Sequence, residues 1–96
     1  LVKVAFDNIL FVEGMKDYVT IHMRGQKITT LQRLKVLEDQ LPANKFIRVH
    51  HSYIVAIEAI DAVHKGEIRI GNEHIPISES YRKAFREFIE SRQMGG

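Results

Sequence analysis

Alternation opens the chain. Val2, Val4 and Phe6 alternate with Lys3, Ala5 and Asp7, the period of a half-buried strand. Asp7-Asn8 supplies turn chemistry, and Ile9 to Glu13 is an apolar run of strand length. Gly14 to Asp17 reads as a loop in which Gly permits positive φ and Lys16 and Asp17 stay solvated. Tyr18, Val19, Thr20 and Ile21 have strong β propensity, and the strand is expected to run to Met23. Arg24 to Lys27 then closes a hairpin onto Ile28-Thr29-Thr30.

At Leu31 the period changes. Leu31, Leu34, Leu37 and Leu41 recur at helical spacing, with Gln32, Arg33, Lys35, Glu38 and Asp39 on the opposite side. Thr30 is the expected N-cap and Pro42 the stop. Residues 46–57 are β-prone, yet their apolar positions do not alternate cleanly. Ile60 to His64 and Glu67 to Ile70 bracket Lys65-Gly66 as a hairpin. Gly71-Asn72 turns the chain into His74 to Ile77, where Pro76 cannot donate to a ladder and so places the segment at an edge. Tyr81, Ala84, Phe85, Phe88 and Ile89 define one face of a closing helix, capped by Ser78 or Ser80. The pattern predicts a mainly β domain with two short helices.

Composition narrows what such a domain does. Ninety-six residues hold one domain, expected over residues 1–93 with 94–96 as a flexible tail. The opening Leu is what a piece of a longer protein would show. The absence of Cys excludes a disulfide framework, a thiolate zinc site and a cysteine nucleophile. No apolar run exceeds four residues, and Lys3 and Asp7 interrupt the N-terminal stretch, so neither a membrane span nor a signal peptide is expected. A formal net charge of +2 permits nucleic-acid binding without arguing for it. Its distribution, +3 over residues 1–48 and −1 over residues 49–96, assigns no binding face.

Candidate chemistry is sparse. There is no Gly-x-Ser-x-Gly elbow and no Gly-rich phosphate loop. Ser52 follows His51, but neighbours in a strand point to opposite faces. Glu13 and Asp17 read as solvated acids flanking a loop, and no enzyme is expected. His50-His51 raises a metal reading, joined in principle by His22, His64 and His74. In a strand the two would face apart and would not share an ion, so no metal and no cofactor is expected. Basic residues gather near Arg24/Lys27, Arg33/Lys35, Lys45/Arg48 and Arg82/Lys83/Arg86. Two helices joined by a short turn are missing, so any DNA reading falls to loops or strands.

Several segments share an order with a known family. Ile9-Leu10-Phe11-Val12-Glu13 followed by Asp17-Tyr18-Val19, then Leu31 to Leu41-Pro42, then Phe46-Ile47-Arg48-Val49-His50-His51-Ser52-Tyr53-Ile54-Val55, then Ile75-Pro76-Ile77-Ser78 resemble the LytTR DNA-binding domain. The third segment carries the most specific motif, and the likeness covers residues 4–90. The resemblance implies an elongated fold of antiparallel β-sheets and the output role of a bacterial two-component response regulator in the cytoplasm. It also implies a receiver domain in the full-length chain, and binding to promoter direct repeats of double-stranded DNA as paired domains, with no membrane partner. Loops would enter successive major grooves.

Carried over by position, Lys16, Asp17 and Tyr18 fall where the family inserts a side chain into a groove. Lys16 suits a phosphate or a guanine, and Tyr18 suits either DNA or packing. His51 stands at a commonly basic position and would offer a weaker contact than a bidentate Arg. Ser52 and Tyr53 match the family and bring hydroxyls for the phosphate backbone, while Arg48 matches as phosphate anchor or structural partner. Two residues depart from the pattern. Ala56 replaces a usual Asn, and Glu79 stands where Arg or another polar donor is common, which leaves Arg82 and Lys83 to hold the backbone. The alternative from another class is a β-rich module that contacts a receiver domain or another protein.

Overall fold

In the computed structural model, residues 4–94 are described, with side chains to residue 92. Eight strands and two helices follow in the order β1 (Ile9–Met15), β2 (Tyr18–Met23), β3 (Gln26–Leu31), α1 (Leu34–Gln40), β4 (Phe46–His50), β5 (Tyr53–Ala56), β6 (Ala62–His64), β7 (Glu67–Ile70), β8 (Glu73–Pro76) and α2 (Glu79–Met94). The strands form a five-stranded sheet in the order β3-β2-β1-β5-β4 and a three-stranded sheet in the order β6-β7-β8. Every pairing is antiparallel. The body is elongated, 39 × 26 × 25 Å.

The larger sheet is apolar on both faces because it is covered on both. Ile9, Val12, Val19, Ile21, Met23 and Ile54 face one way and pack on Leu34, Leu37 and Leu41 of α1 and its C-cap. Phe11, Val49 and Val55 face the other way, against Ile68, Ile70 and Ile75 of the small sheet and Phe85 of α2. An irregularity between Ile9 and Phe11 breaks the alternation, which lets nearby apolar residues reach opposite cores.

Several expected boundaries move, each for a local reason. Residues 4–5 are not strand, and Phe6–Asn8 is a 3-10 turn closed by Asn8 N donating to Ala5 O at 3.0 Å. Phe6 meets the ring of Phe46 edge-on at 6.3 Å instead of pairing in a sheet. Val2 and Lys3 of that expected strand lie outside the described residues, as do residues 95–96 of the expected tail. Gly14 belongs to β1, not to the loop. Its backbone passes Leu34 so closely that a Cβ would sit 3.0 Å from the Leu34 Cβ, and that approach is why glycine stands there.

Leu31 is strand, not helix. It pairs with Tyr18 at the end of the β2–β3 ladder, and α1 begins three residues later behind an extended Arg33 rather than Thr30. At the far end Leu41, the residue before Pro42, is extended with ψ 142°, as steric conflict with the proline ring requires. The segment 46–57 fails to alternate because it is a hairpin, with His51-Ser52 as its two-residue turn and an irregularity beside Val49. Strand β6 starts at Ala62 rather than Ile60, after a 3-10 turn at Ile57–Ala59. Two expectations stand unchanged in kind: β8 is an edge strand holding Pro76, and α2 buries Phe85. Helix α2, at 16 residues, is longer than the pattern predicts, and Ala84 within its apolar stripe is exposed.

Candidate nucleic-acid interface

Two turns define one end of the larger sheet. Lys16-Asp17 joins β1 to β2, with Met15 opposite Tyr18. Lys16 takes the left-handed conformation, φ 53°, which tightens the connection and turns its side chain into solvent. The Asp17 carbonyl accepts from Gln32 N at 2.8 Å, so the chain leaving β3 braces the turn. Among the described residues Lys16 makes no ion pair.

The His51-Ser52 turn lies beside it because β5 pairs with β1 antiparallel, Glu13 opposite Tyr53. Gly14 N donates to Ser52 O at 2.8 Å, so a main-chain bond ties the two turns together. His51 is exposed at the tip. His50 ends β4, and its Nδ1 accepts from Ser52 N at 3.0 Å, which leaves the ring proton on Nε2. The pair thus straddles a strand end instead of lying within a strand as expected. One histidine shapes the turn and the other projects from it. Among the described residues no cluster of three or more His, Asp or Glu is arranged to hold a metal ion.

Arg48 clasps the turn from inside. Its Nε donates to His50 O at 2.8 Å and its Nη2 to His51 O at 2.5 Å. Nη1 meets Glu38 Oε1 of α1 at 2.7 Å, and the guanidinium lies 5.9 Å from the Tyr81 ring centre. The side chain is 12% exposed. Of its two expected roles, this geometry is that of the structural partner, since the planar fork is spent on three acceptors.

Tyr53 also turns inward. Its hydroxyl donates to Glu13 Oε2 at 3.3 Å. Burial, then the Glu13 carboxylate and its hydrogen bond, push the phenol above its ordinary value. The other Glu13 oxygen meets His22 Nε2 at 3.3 Å, and His22 stacks on Phe11 at 4.1 Å.

The start of α2 adjoins this end through β4. Ser78 N donates to Val49 O at 2.9 Å, and Ile77 N donates to Gly66 O at 2.9 Å. Glu79 is exposed in the first turn, where helix N–H groups favour negative charge. Arg82 Nε lies 3.4 Å from Ile77 O, and its guanidinium covers Gly66. Lys83 is exposed. The structure therefore brings Lys16, Asp17, Tyr18, His51 and Ser52 to one end, while Glu79 follows Ser78, whose N donates to Val49 O of the adjoining strand. Arg48 and Tyr53 serve the interior, and Arg82 leans toward the β6–β7 turn.

That turn adds a residue the sequence reasoning passed over. Lys65, with φ 48°, tips the hairpin beside the start of α2. It was legible as a hairpin but not as a cation, because it lies outside the basic clusters visible along the chain.

The arrangement defines a class: an antiparallel β domain whose exposed polar chemistry sits on hairpin turns and a helix start. The chain belongs to the LytTR family, since the model of the LytTr DNA-binding domain matches residues 1–90. A solved relative, the LytTr DNA-binding domain of a Bacillus cereus protein described as a methyl-accepting/DNA response regulator, superposes with a TM-score of 0.84. It is 26% identical, and the match covers 92% of this chain and 86% of that one. The Bacillus cereus sensory transduction protein LytT is likewise 26% identical over 95 residues, 93% of this chain. The chain spans 39% of that relative's length.

Proposed function

We propose that this domain binds double-stranded DNA in a sequence-dependent way and serves as the output module of a bacterial response regulator controlling transcription. The observation that carries this reading is the Gly14–Ser52 backbone bond, which joins two exposed turns into one rigid edge. Lys16 and His51 project from that edge, and Tyr18 stands directly behind it. Hydrogen-bonding groups on a fixed frame suit base edges in a major groove, while Lys65, Arg82 and Lys83 suit flanking phosphates.

The remaining parts of the proposal follow from that partner. The whole of 1–93 is one DNA-binding unit with no catalytic task; Met94, expected in the tail, continues α2 instead. Promoter direct repeats seat two copies side by side, a receiver domain precedes it in the full-length protein, and the location is the cytoplasm of a bacterium. No helix among the described residues is long and apolar enough to cross a membrane.

The test is selection of bound duplexes from a random pool at two salt concentrations. With roughly five phosphates neutralised, log K falls against log salt with a slope of about −4.5. A flat salt response, or no enrichment of a repeated sequence, refutes the reading. Charge reversal at Lys16 and Arg82 then separates it from the protein-contact alternative: DNA affinity collapses in the first case and protein association in the second.

A further inference from the structure

Three large apolar side chains stand in one cross-strand row behind the Lys16-Asp17 turn. Met15 pairs with Tyr18, and Tyr18 with Leu31, so all three project from the same face. They are 62%, 52% and 70% exposed. Isolated exposed hydrophobics are ordinary, but a contiguous row is not. The shallow hollow beside the row measures about 630 Å³ and is lined by Met15, Lys16, Asp17, Tyr18, Thr20 and Thr29.

The row is not an overflow of the core. The next row inward on that face is polar, Glu13–Thr20–Thr29, with the two threonine hydroxyls 3.0 Å apart. Only beyond it does Phe11 enter the second core. An apolar strip at the tip, cut off from the core by a polar one, stabilises nothing within the domain. Its rim carries both Lys16 and Asp17 at the turn, and the Gln32–Asp17 backbone bond brings the exposed Arg33 into the neighbouring segment.

We propose that the Met15–Tyr18–Leu31 row reads thymine methyl groups on the major-groove wall, making it a specificity surface for DNA; this rests on the DNA-binding reading above. The major groove offers one apolar feature, the thymine C5 methyl, and it lies between phosphates that Lys16 and Arg33 match in charge. A turn inserted into the groove carries the row behind it against that wall.

Deoxyuridine substitution tests this, since it removes the methyl and leaves the Watson–Crick edge intact. Each thymine of a selected duplex is replaced in turn, and affinity is compared for the unaltered chain and for a Met15→Ser/Leu31→Ser variant. Both substitutions fall at exposed positions and leave Tyr18 in place. The expected result is about fourfold weaker binding for each methyl lost against the row, with the variant binding both duplexes alike. If the domain binds its duplex but deoxyuridine costs nothing at any position, or the variant discriminates as before, the methyl reading is overturned and DNA binding stands. If no duplex is preferred over random DNA, both fall. Loss of self-association in the variant with discrimination intact also overturns the proposal and assigns the row to contact between copies.

Discussion

Removing the Arg48 clasp separates two roles that one arginine can play, and the structure sets the size of each. In Arg48→Met the stem remains, but the carbonyls of His50 and His51 and the carboxylate of Glu38 lose their donor. Hydrogen bonds to a charged group contribute about 1.5–3 kcal/mol each when well shielded. Glu38 is about one-third exposed and the turn borders water, so the combined loss comes to about 3 kcal/mol. That lowers the melting temperature by roughly 12–24 °C for a domain this size, and a domain of ordinary stability, about 5–15 kcal/mol, stays folded after the loss.

The assay pairs thermal melting with DNA affinity measured over a salt series. Loosening the His51-Ser52 turn weakens binding, yet the number of neutralised phosphates stays the same, so the slope of log K against log salt is unchanged. A direct phosphate contact predicts the reverse: near-normal melting and a slope shallower by about 0.9. Arg48→Lys sharpens the contrast. A single ammonium keeps the charge but lacks the planar fork whose three nitrogens reach three separated acceptors, so it rescues a phosphate role and not a clasp. Normal melting together with a shallower slope would refute the argument.

Other parts of the molecule give equally definite outcomes. Gly14→Ala forces a Cβ against Leu34 and lowers stability in urea by about 1–3 kcal/mol; in a Leu34→Ala background that cost is relieved only in part, because the contacts with Cδ2 at 3.1 Å and Cγ at 3.4 Å go but the one with Cβ at 3.0 Å stays. Lys65→Gly removes a left-handed backbone penalty, so stability holds level or rises by up to about 1 kcal/mol, while DNA affinity falls and the salt slope shortens by about 0.9. The raised Tyr53 phenol makes the folded state hold its proton longer than the unfolded chain does. Stability from this group is therefore complete below the ordinary value of 10.0 and is lost as pH rises beyond it. Melting curves at pH 9 and 11 check this against Tyr53→Phe, which lacks that part of the decline.

The sequence made burial legible more readily than connection. Leu34, Leu37 and Phe85 were assigned to apolar helix faces by period alone, and all three are buried. The His51-Ser52 turn escaped because it contains none of Gly, Pro, Asn or Asp, and a serine announces a turn more weakly than these. Leu31 fitted a helical spacing by coincidence, and only the partner strand decides that it extends β3. Among site residues, exposed ones at turns were legible from the resemblance. Arg48 was not resolved between its two roles, because its decisive partner, Glu38, lies in another element ten residues away.

The bond from Gly14 to Ser52 has a consequence for how such domains diverge. It runs between main-chain atoms, so no side chain at positions 16, 17, 51 or 52 takes part in setting the gap between the two tips. The frame and the lettering are thereby independent. On the proposed DNA-binding reading, residues at the tips are free to change which bases they match without disturbing the pitch at which they meet the groove, much as type is changed in a fixed press. Exchanging those four residues for a relative's should carry over the relative's preferred sequence while the spacing between contacted bases stays the same.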